Sequence, residues 1–198
     1  MAFYPEGLAV PAWLEQSEVI VRPIHASDAA ADFEALMSSR IMLRMWDQSE
    51  WPTDDFTVGR NRADLERHEL EHEMREAFTF TVMDPTQTSC LGCVYVHGLK
   101  SVLIAMGAEV RDLKRVRQSD ACVTFWIRES RLADGLDRRF AQHIIDWFDM
   151  HWAVSQMALG TNTADRAQCT LFNDLGFAET WRFPIPGSDQ SYLIYLRS

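Results

Sequence analysis

The change from a strand pattern to a helix pattern between residues 121 and 152 limits the possible folds. "ACVTFWIR" (121–128) is a short, continuous apolar run, which is typical of a buried strand. After a tight turn that contains Gly135, apolar residues recur at helical spacing: Leu136, Phe140, Ile144, Trp147 and Phe148. A strand followed closely by an amphipathic helix indicates a sheet with helices packed on it, so we expect a mixed α/β chain.

The remaining segments extend this unit to the order β-α-α-β-β-(insertion)-β-α-β-α-β-β. Residues 1–17 are predicted to be an arm on the surface, residues 18–198 one domain, and 100–118 a helical insertion. A Trp-bearing loop or short helix covers 42–55. The other predicted strands cover 18–24, 78–84, 90–99, 155–161, 178–183 and 191–198, and a helix from Ala164 to Leu175 ends at Gly176.

Composition and charge narrow the function classes. The 198 residues are 47% apolar and 24% charged, as in an ordinary globular domain. A formal net charge of −10 argues against nucleic acid as a partner and suits an amine-bearing one. The sequence shows neither a signal peptide nor a membrane span. Its four cysteines lack the spacing of a disulfide framework, which predicts a cytoplasmic protein.

The segment His68-Glu69-Leu70-Glu71-His72 matches the H-E-x-x-H motif of zinc metalloproteases. Two histidines at i and i+4 can hold one zinc ion, with the glutamate as general base. The next residues supply no third ligand, and a wheel projection separates both histidines from this apolar stripe: Phe56, Ala63, Leu70, Met74 and Ala77. We therefore predict a surface pair on a solvated helix face and no metalloprotease; weak surface metal binding by the pair stays an alternative.

Cys90 and Cys93 form a C-x-x-C pair inside a predicted strand. Residues three positions apart on a regular strand point to opposite faces. A redox motif would instead open a helix, and a zinc site would need a second C-x-x-C. We predict no metal site here either.

Two stretches, "VTFWIRESRLADGLDRRFAQHIIDWF" and "TADRAQCTLFNDLGF", resemble the GCN5-related N-acetyltransferase (GNAT) family, in particular its ribosomal-protein N-terminal acetyltransferase branch. The resemblance covers residues 18–198. It implies the GNAT fold, a mixed and mostly antiparallel sheet flanked by helices. It also implies an acyl-CoA-dependent N-acyltransferase, in which an amine attacks the thioester of acetyl-CoA directly.

The resemblance also implies where acetyl-CoA would bind. The strand residues Phe125, Trp126, Ile127 and Arg128 would pair with the pantetheine arm. The loop would hold the phosphates through Arg131, Leu132, Ala133, Asp134, Gly135 and Leu136. In the family pattern Gln/Arg-x-x-Gly-x-Gly/Ala, only Gly135 matches, because Leu132 and Asp137 replace the first and last residues. Asp134 and Asp137 have the spacing of an N-cap and an N3 acid, which predicts weak CoA binding.

The catalytic positions of the family are altered as well. Phe172 stands where a tyrosine often protonates the leaving thiolate and is expected to face the cofactor. The position of the family's basic carboxylate falls at Cys122, with Asp120 as the nearest acid. The C-terminal helix carries Asp165 and Gln168 in place of Asn and Ser.

Each remaining candidate has two interpretations. Asp120 is either a general base or a surface acid at the start of a strand, and His97 is either a base or a solvated loop residue. Glu129 is either catalytic or a partner of Arg128. The tryptophans at 46, 51 and 126 belong either to the core or to a substrate slot.

The leading hypothesis is therefore an N-acetyltransferase that acts on an amine acceptor. The rival hypothesis is a GNAT-fold binding or regulatory protein without turnover, which the missing tyrosine and altered loop favour. Peptide N-termini, antibiotics, polyamines and small metabolites stay open as acceptors, and a homodimer is compatible with the sequence.

Overall fold

A computed structural model describes residues 3–197, whose strands form one eight-stranded sheet in the order β1-β2-β3-β4-β5-β6-β8-β7. The neighbouring strands are antiparallel except β5 and β6, which are parallel. This confirms the predicted mixed, mostly antiparallel sheet. The strands are β1 (Leu14–Glu15), β2 (Ile20–Pro23), β3 (Ala77–Met83), β4 (Cys90–Gly98), β5 (Ala121–Ile127), β6 (Met157–Asn162), β7 (Phe177–Pro184) and β8 (Ser191–Arg197).

The helices pack against this sheet in two main groups, one of which buries the predicted apolar face of residues 136–152. Gly176 adopts φ 82° directly after the last C-terminal helix, as predicted for its C-cap position. The helices are α1 (Ala29–Ser38), α2 (Arg40–Asp47), α3 (Val58–Glu73), α4 (Leu99–Ala105), α5 (Val110–Leu113), α6 (Leu136–His151) and α7 (Arg166–Asp174). None of these helices is long and apolar enough to cross a membrane.

Two aromatic residues of the N-terminal arm belong to the core. Phe3 and Tyr4 are buried against Phe78, and the Tyr4 hydroxyl accepts a hydrogen bond from the Ala153 backbone N–H at 3.3 Å. The arm also adds β1 to the edge of the sheet. The prediction of a surface arm is therefore wrong for Phe3 and Tyr4, because two large aromatic rings gain more from burial than a surface position allows, whereas residues 5–13 are exposed or half-buried.

Helix α3 packs with the face opposite to the predicted one. Leu70 and Met74 are 53% and 56% exposed, whereas Leu65 is buried. The His72 ring lies 5.0 Å from Phe78 between ring centroids, and Thr79 Oγ1 lies 3.2 Å from His68 Nδ1. The prediction of a solvated histidine pair is therefore wrong, since ring contacts and a hydrogen bond make both histidines suitable for the face that covers β3.

A β-bulge changes the direction of the C-x-x-C pair. Cys93 lies opposite Thr81 and Gly92 opposite Val82, but the partner of Met83 is Cys90. Leu91 is therefore an extra residue on β4. Because a bulge shifts the alternation by one, both thiols point to the same face, and the prediction that they face opposite sides is wrong.

The parallel pair β5 and β6 separates after a short paired segment. The register joins Ala121 to Met157, Cys122 to Ala158 and Val123 to Leu159, and it ends there. Both strands continue beyond these pairs, β5 to Ile127 and β6 to Asn162. The separation opens a cleft in the middle of the sheet, with free strand edges on its walls.

Candidate active site

The cleft between β5 and β6 contains a cavity of about 220 Å³ with a mainly apolar wall and a few polar groups. Such a lining is typical of small-molecule sites. The cavity is lined by Trp46, Asp47, His97, Val102, Met106, Cys122, Thr124, Gly160, Thr161, Tyr192, Leu193 and Ile194. A neighbouring cavity of about 420 Å³ shares Trp46, Asp47, His97 and Thr124 with it.

His97 is the predicted catalytic candidate that the fold brings to this cleft. It lies on β4 opposite Cys122 of β5 and lines both cavities. Burial lowers the pKa of His97, so its imidazole is neutral near neutral pH. A neutral imidazole on the wall of a cleft can accept a proton from a bound amine.

Tyr192 is a cleft residue that the sequence did not single out. It lies on β8 opposite Asn162 of β6, and its hydroxyl donates a hydrogen bond to the Asp47 carbonyl oxygen at 3.3 Å. Burial raises the pKa of Tyr192, so the phenol keeps its proton and can donate it. The alternating pattern of residues 191–198 predicts a strand, but only the strand order places this strand beside β6.

Thr161 adds a polar group to the same cavity. Its Oγ1 is buried and has no hydrogen-bond partner among residues 3–197. Buried hydroxyl groups are normally hydrogen-bonded, and a bound molecule in the cavity would supply the missing partner.

Asp120 and Glu129, the other two catalytic candidates, lie elsewhere. The Asp120 carboxylate accepts a hydrogen bond from the Arg117 backbone N–H at 2.7 Å and lines a separate, arginine-rich cavity of about 500 Å³. Glu129 is exposed in a 3-10 turn, where its backbone N–H donates to Ser39 Oγ at 3.0 Å. The structure does not bring either carboxylate to the cleft that His97 lines.

A narrow groove of about 120 Å³ follows the unpaired end of β5. Its floor is apolar, and Gln168 Nε2 donates to the Phe125 carbonyl oxygen on this strand at 2.8 Å. The groove is lined by Met42, Met45, Trp46, Phe125, Trp126, Ile127, Leu132, Asp137, Asp165, Ala167 and Gln168. Arg128 is directed to α1 instead, where its guanidinium donates to Glu34 and to Ser38.

The loop before α6 leads into a helix N-terminus, where an anion could bind, but its charges are already paired. Gly135 is the N-cap at φ 72°, so the predicted cap at Asp134 is one residue too early. Asp134 Oδ1 nevertheless accepts from the Leu136 N–H at 3.2 Å, and Arg131 Nε donates to Asp134 Oδ2 at 2.8 Å. Arg139 Nε donates to Glu18 at 2.7 Å. A pyrophosphate would have to replace these acids.

Phe172 lies in the core and not at the cofactor groove. It is fully buried, with its ring centroid 6.1 Å from that of Phe125 and 5.6 Å from that of Tyr195. Phe172 therefore does not line the groove, and its contact with a cofactor stays a prediction. The three tryptophans divide as well: Trp46 and Trp51 line the cleft, whereas Trp126 is buried in the core beside Tyr95.

No protein-family model and no curated protein sequence matches the chain. Solved structures do match it over nearly the whole length. A ribosomal L7/L12 α-N-protein acetyltransferase, RimL, has a TM-score of 0.71 at 13% identity, and the match covers 98% of this chain and 97% of that one.

Two further matches have comparable scores. The ribosomal-protein-S5-alanine acetyltransferase from Vibrio fischeri has a TM-score of 0.68 at 18% identity, over 93% of this chain and 95% of that one. The microcin C7 self-immunity acetyltransferase MccE, in complex with acetyl-CoA and AMP, has 0.69 at 10% identity, over 94% and 96%. The sheet order, the separated β5 and β6 strands and these matches show that the chain has the fold of the GNAT acetyltransferases.

Proposed function

We propose that the protein is an acyl-CoA-dependent N-acyltransferase that moves an acetyl group to an amine by direct transfer. The observation that carries the proposal is the opening between β5 and β6, with His97 on one wall and Tyr192 on the other side. A groove suited to a pantetheine arm runs along the same strand β5. Structures of similar fold have been solved with coenzyme A and with acetyl-CoA.

Acetyl-CoA supplies an activated acyl group as a thioester. The residues Phe125, Trp126, Ile127 and Leu132 would hold its pantetheine arm in the groove beside β5. Arg131 and Arg139 contact the loop before α6 at Asp134, and the phosphates would use these two cations after exchange of their present carboxylate partners.

Two protein groups would manage the protons. His97, neutral because burial lowers its pKa, would accept the proton that the attacking amine must lose. Tyr192, protonated because burial raises its pKa, would give its proton to the departing sulfur. Both side chains line one cavity, so one can accept the proton of the amine while the other protonates the leaving thiolate.

The acceptor side of the cleft is aromatic and acidic. Trp46, Trp51 and Tyr95 line it together with the carboxylates of Asp47 and Asp64, and the one guanidinium there, that of Arg67, is paired with Glu71. Aromatic faces and carboxylates both attract ammonium groups, and an acceptor amine arrives mostly protonated. The lining therefore supports an amine acceptor that is cationic or that can pack against aromatic rings.

Release of free CoA thiol in the presence of acetyl-CoA and a panel of amines tests the proposal. The panel contains peptides with free N-termini, polyamines, amine antibiotics and amino acids. We expect thiol release that depends on one class of amine. His97→Gln should lower kcat by about 10²- to 10⁴-fold, the usual contribution of a general base. His151→Gln, at an exposed position at the end of α6, is the matched control and should keep full activity.

The pH profile gives a second readout of the same step. The rate should rise with pH and be half-maximal at an apparent pKa below the ordinary histidine value of about 6.5, because burial lowers the pKa of His97. Binding of CoA without thiol release for any amine would contradict the proposal and favour a regulatory CoA-binding protein.

A further inference from the structure

A buried cluster of two thiols and one carboxylate lies between α1 and the bulged strand β4. Cys93 Sγ lies 3.4 Å from Asp32 Oδ1, and Cys90 Sγ lies 3.7 Å from the same oxygen. The three ligand atoms all lie within 4.8 Å of one another. Asp32 and Cys93 are each 2% exposed and Cys90 is fully buried, so the cluster is separated from bulk water.

Because of the bulge, the two thiols are better placed to bind one common ion than to form a disulfide with each other. Cys90 and Cys93 lie opposite Met83 and Thr81, which are two residues apart on β3. Their Cα atoms are therefore about 7 Å apart, at the far end of the range that a disulfide spans. Thiolates on a common metal ion, in contrast, keep their sulfur atoms apart.

No cationic side chain among residues 3–197 forms an ion pair with the carboxylate of Asp32. Asp32 Oδ2 accepts a hydrogen bond from Asn61 Nδ2 at 2.9 Å, and the other oxygen contacts only the two thiols. A buried carboxylate is costly unless it is neutralised or paired. A bound cation would provide the missing positive charge.

We propose that Cys90, Cys93 and Asp32 form a binding site for one zinc ion. Ligands at about 2.3 Å for sulfur and about 2.0 Å for oxygen, at tetrahedral angles, lie about 3.5 to 3.8 Å from one another. The observed separations of 3.4 and 3.7 Å between sulfur and oxygen match this arrangement closely. Two thiolates with a carboxylate form a donor set that zinc binds well, and both thiol protons leave to solvent on binding.

The surroundings supply the other parts of a zinc site. A cavity of about 90 Å³ reaches Asp32, Cys93 and Tyr95, which leaves room for water as a fourth ligand. Asn61 is buried and donates both to Asp32 and to the Ala29 carbonyl oxygen at 3.1 Å, which fixes the carboxylate's orientation. The ion would join α1 to the hairpin of β3 and β4, a structural role separate from acyl transfer.

Zinc titration of the full chain against a colorimetric chelator, together with X-ray absorption of the zinc-loaded protein, tests this site. We expect one zinc ion per chain and two sulfur scatterers at about 2.3 Å. Cys93→Ser and Asp32→Asn should each weaken zinc affinity by about 100-fold or more. Cys169→Ser removes a half-buried thiol of α7 as the matched control and should leave the affinity unchanged.

The absorption spectrum of the unaltered protein decides the question even if a variant fails to fold. A shell of nitrogen and oxygen alone would place zinc elsewhere, for example on the His68 and His72 pair, and would overturn the proposal. Equal zinc affinity of folded Cys93→Ser and unaltered protein would also overturn it. The cluster would then be a set of neutral thiols hydrogen-bonded to a protonated Asp32.

Discussion

Phe172 stands at the position where the resembling family often carries a tyrosine, and it is surrounded by Phe125 and Tyr195 in the core. Phe172→Tyr would bury a hydroxyl group without a partner prepared for it. We expect the free energy of unfolding to fall by about 1–3 kcal/mol, with no gain in turnover. Urea unfolding and the thiol-release assay measure both quantities.

Tyr192 provides the comparison for that variant at the scale of single residues. Tyr192→Phe removes a hydroxyl group from the cleft and should lower turnover, while Phe172→Tyr adds a hydroxyl group outside the cleft. An increase in turnover for Phe172→Tyr at unchanged stability would mean that the new hydroxyl reaches the cleft and would contradict the role given to Tyr192.

Helix α3 gives a prediction at the scale of elements, because its apolar residues divide between two faces. Leu65 is buried, whereas Leu70 is 53% exposed. Leu65→Ala should reduce the free energy of unfolding by about 2–5 kcal/mol, and Leu70→Gln should change it by less than about 0.5 kcal/mol. Chemical denaturation of the two variants checks this. A larger loss of unfolding free energy for Leu70→Gln would contradict this packing and would support the buried face that the wheel projection predicts.

The N-terminus of α6 gives a second prediction at this scale. Asp137 is in the first turn and lines the groove together with Asp165, so a CoA phosphate in that region would meet acidic side chains. Asp137→Asn should tighten CoA binding by about tenfold, because it removes one like charge. Calorimetric titration at low salt measures the affinity. Asp146→Asn, on the exposed side of α6, is the control.

Unchanged or weaker CoA binding by Asp137→Asn would show that this carboxylate points away from the phosphates. The ion pairs of Arg131 and Arg139 with Asp134 and Glu18 would then be the main barrier to binding.

At the scale of the whole molecule, three partly buried histidines connect stability to pH. Burial lowers the pKa of His68, His72 and His97. The unfolded chain, with histidine pKa values near 6.5, therefore binds more protons than the folded chain below that pH. The stability that these residues contribute is complete above about pH 6.5 and is lost as the pH falls below it.

His72→Phe isolates one of these contributions, because a phenyl ring can keep the contacts with Phe78 and Phe80. Between about pH 7.5 and 5.5, the unaltered protein should lose more unfolding free energy than the variant. Unfolding curves over this range give the difference. Parallel pH dependence of both proteins would show that His72 titrates normally in the folded state.

The order of the elements and the face of α6 could be read from the sequence, because both depend on local periodicity. Leu136, Phe140 and Ile144 are buried as their spacing predicts, and Gly135 and Gly176 adopt the positive φ that their turns require. The resemblance to the GNAT family predicted the sheet, and it identified His97 as one candidate among three.

The tertiary structure decided the features that depend on distant partners. The face of α3 is set by β3, the burial of Phe3 by Phe78 of the same strand, and the direction of Cys90 by a bulge opposite Met83. Tyr192 reaches the cleft only because β8 pairs with β6. Local spacing carries no information on such pairings, since burial energy comes from contacts between segments far apart in the chain. The sequence by itself therefore determined which elements form, and the packing of those elements decided which side chains meet in the cleft and around Asp32.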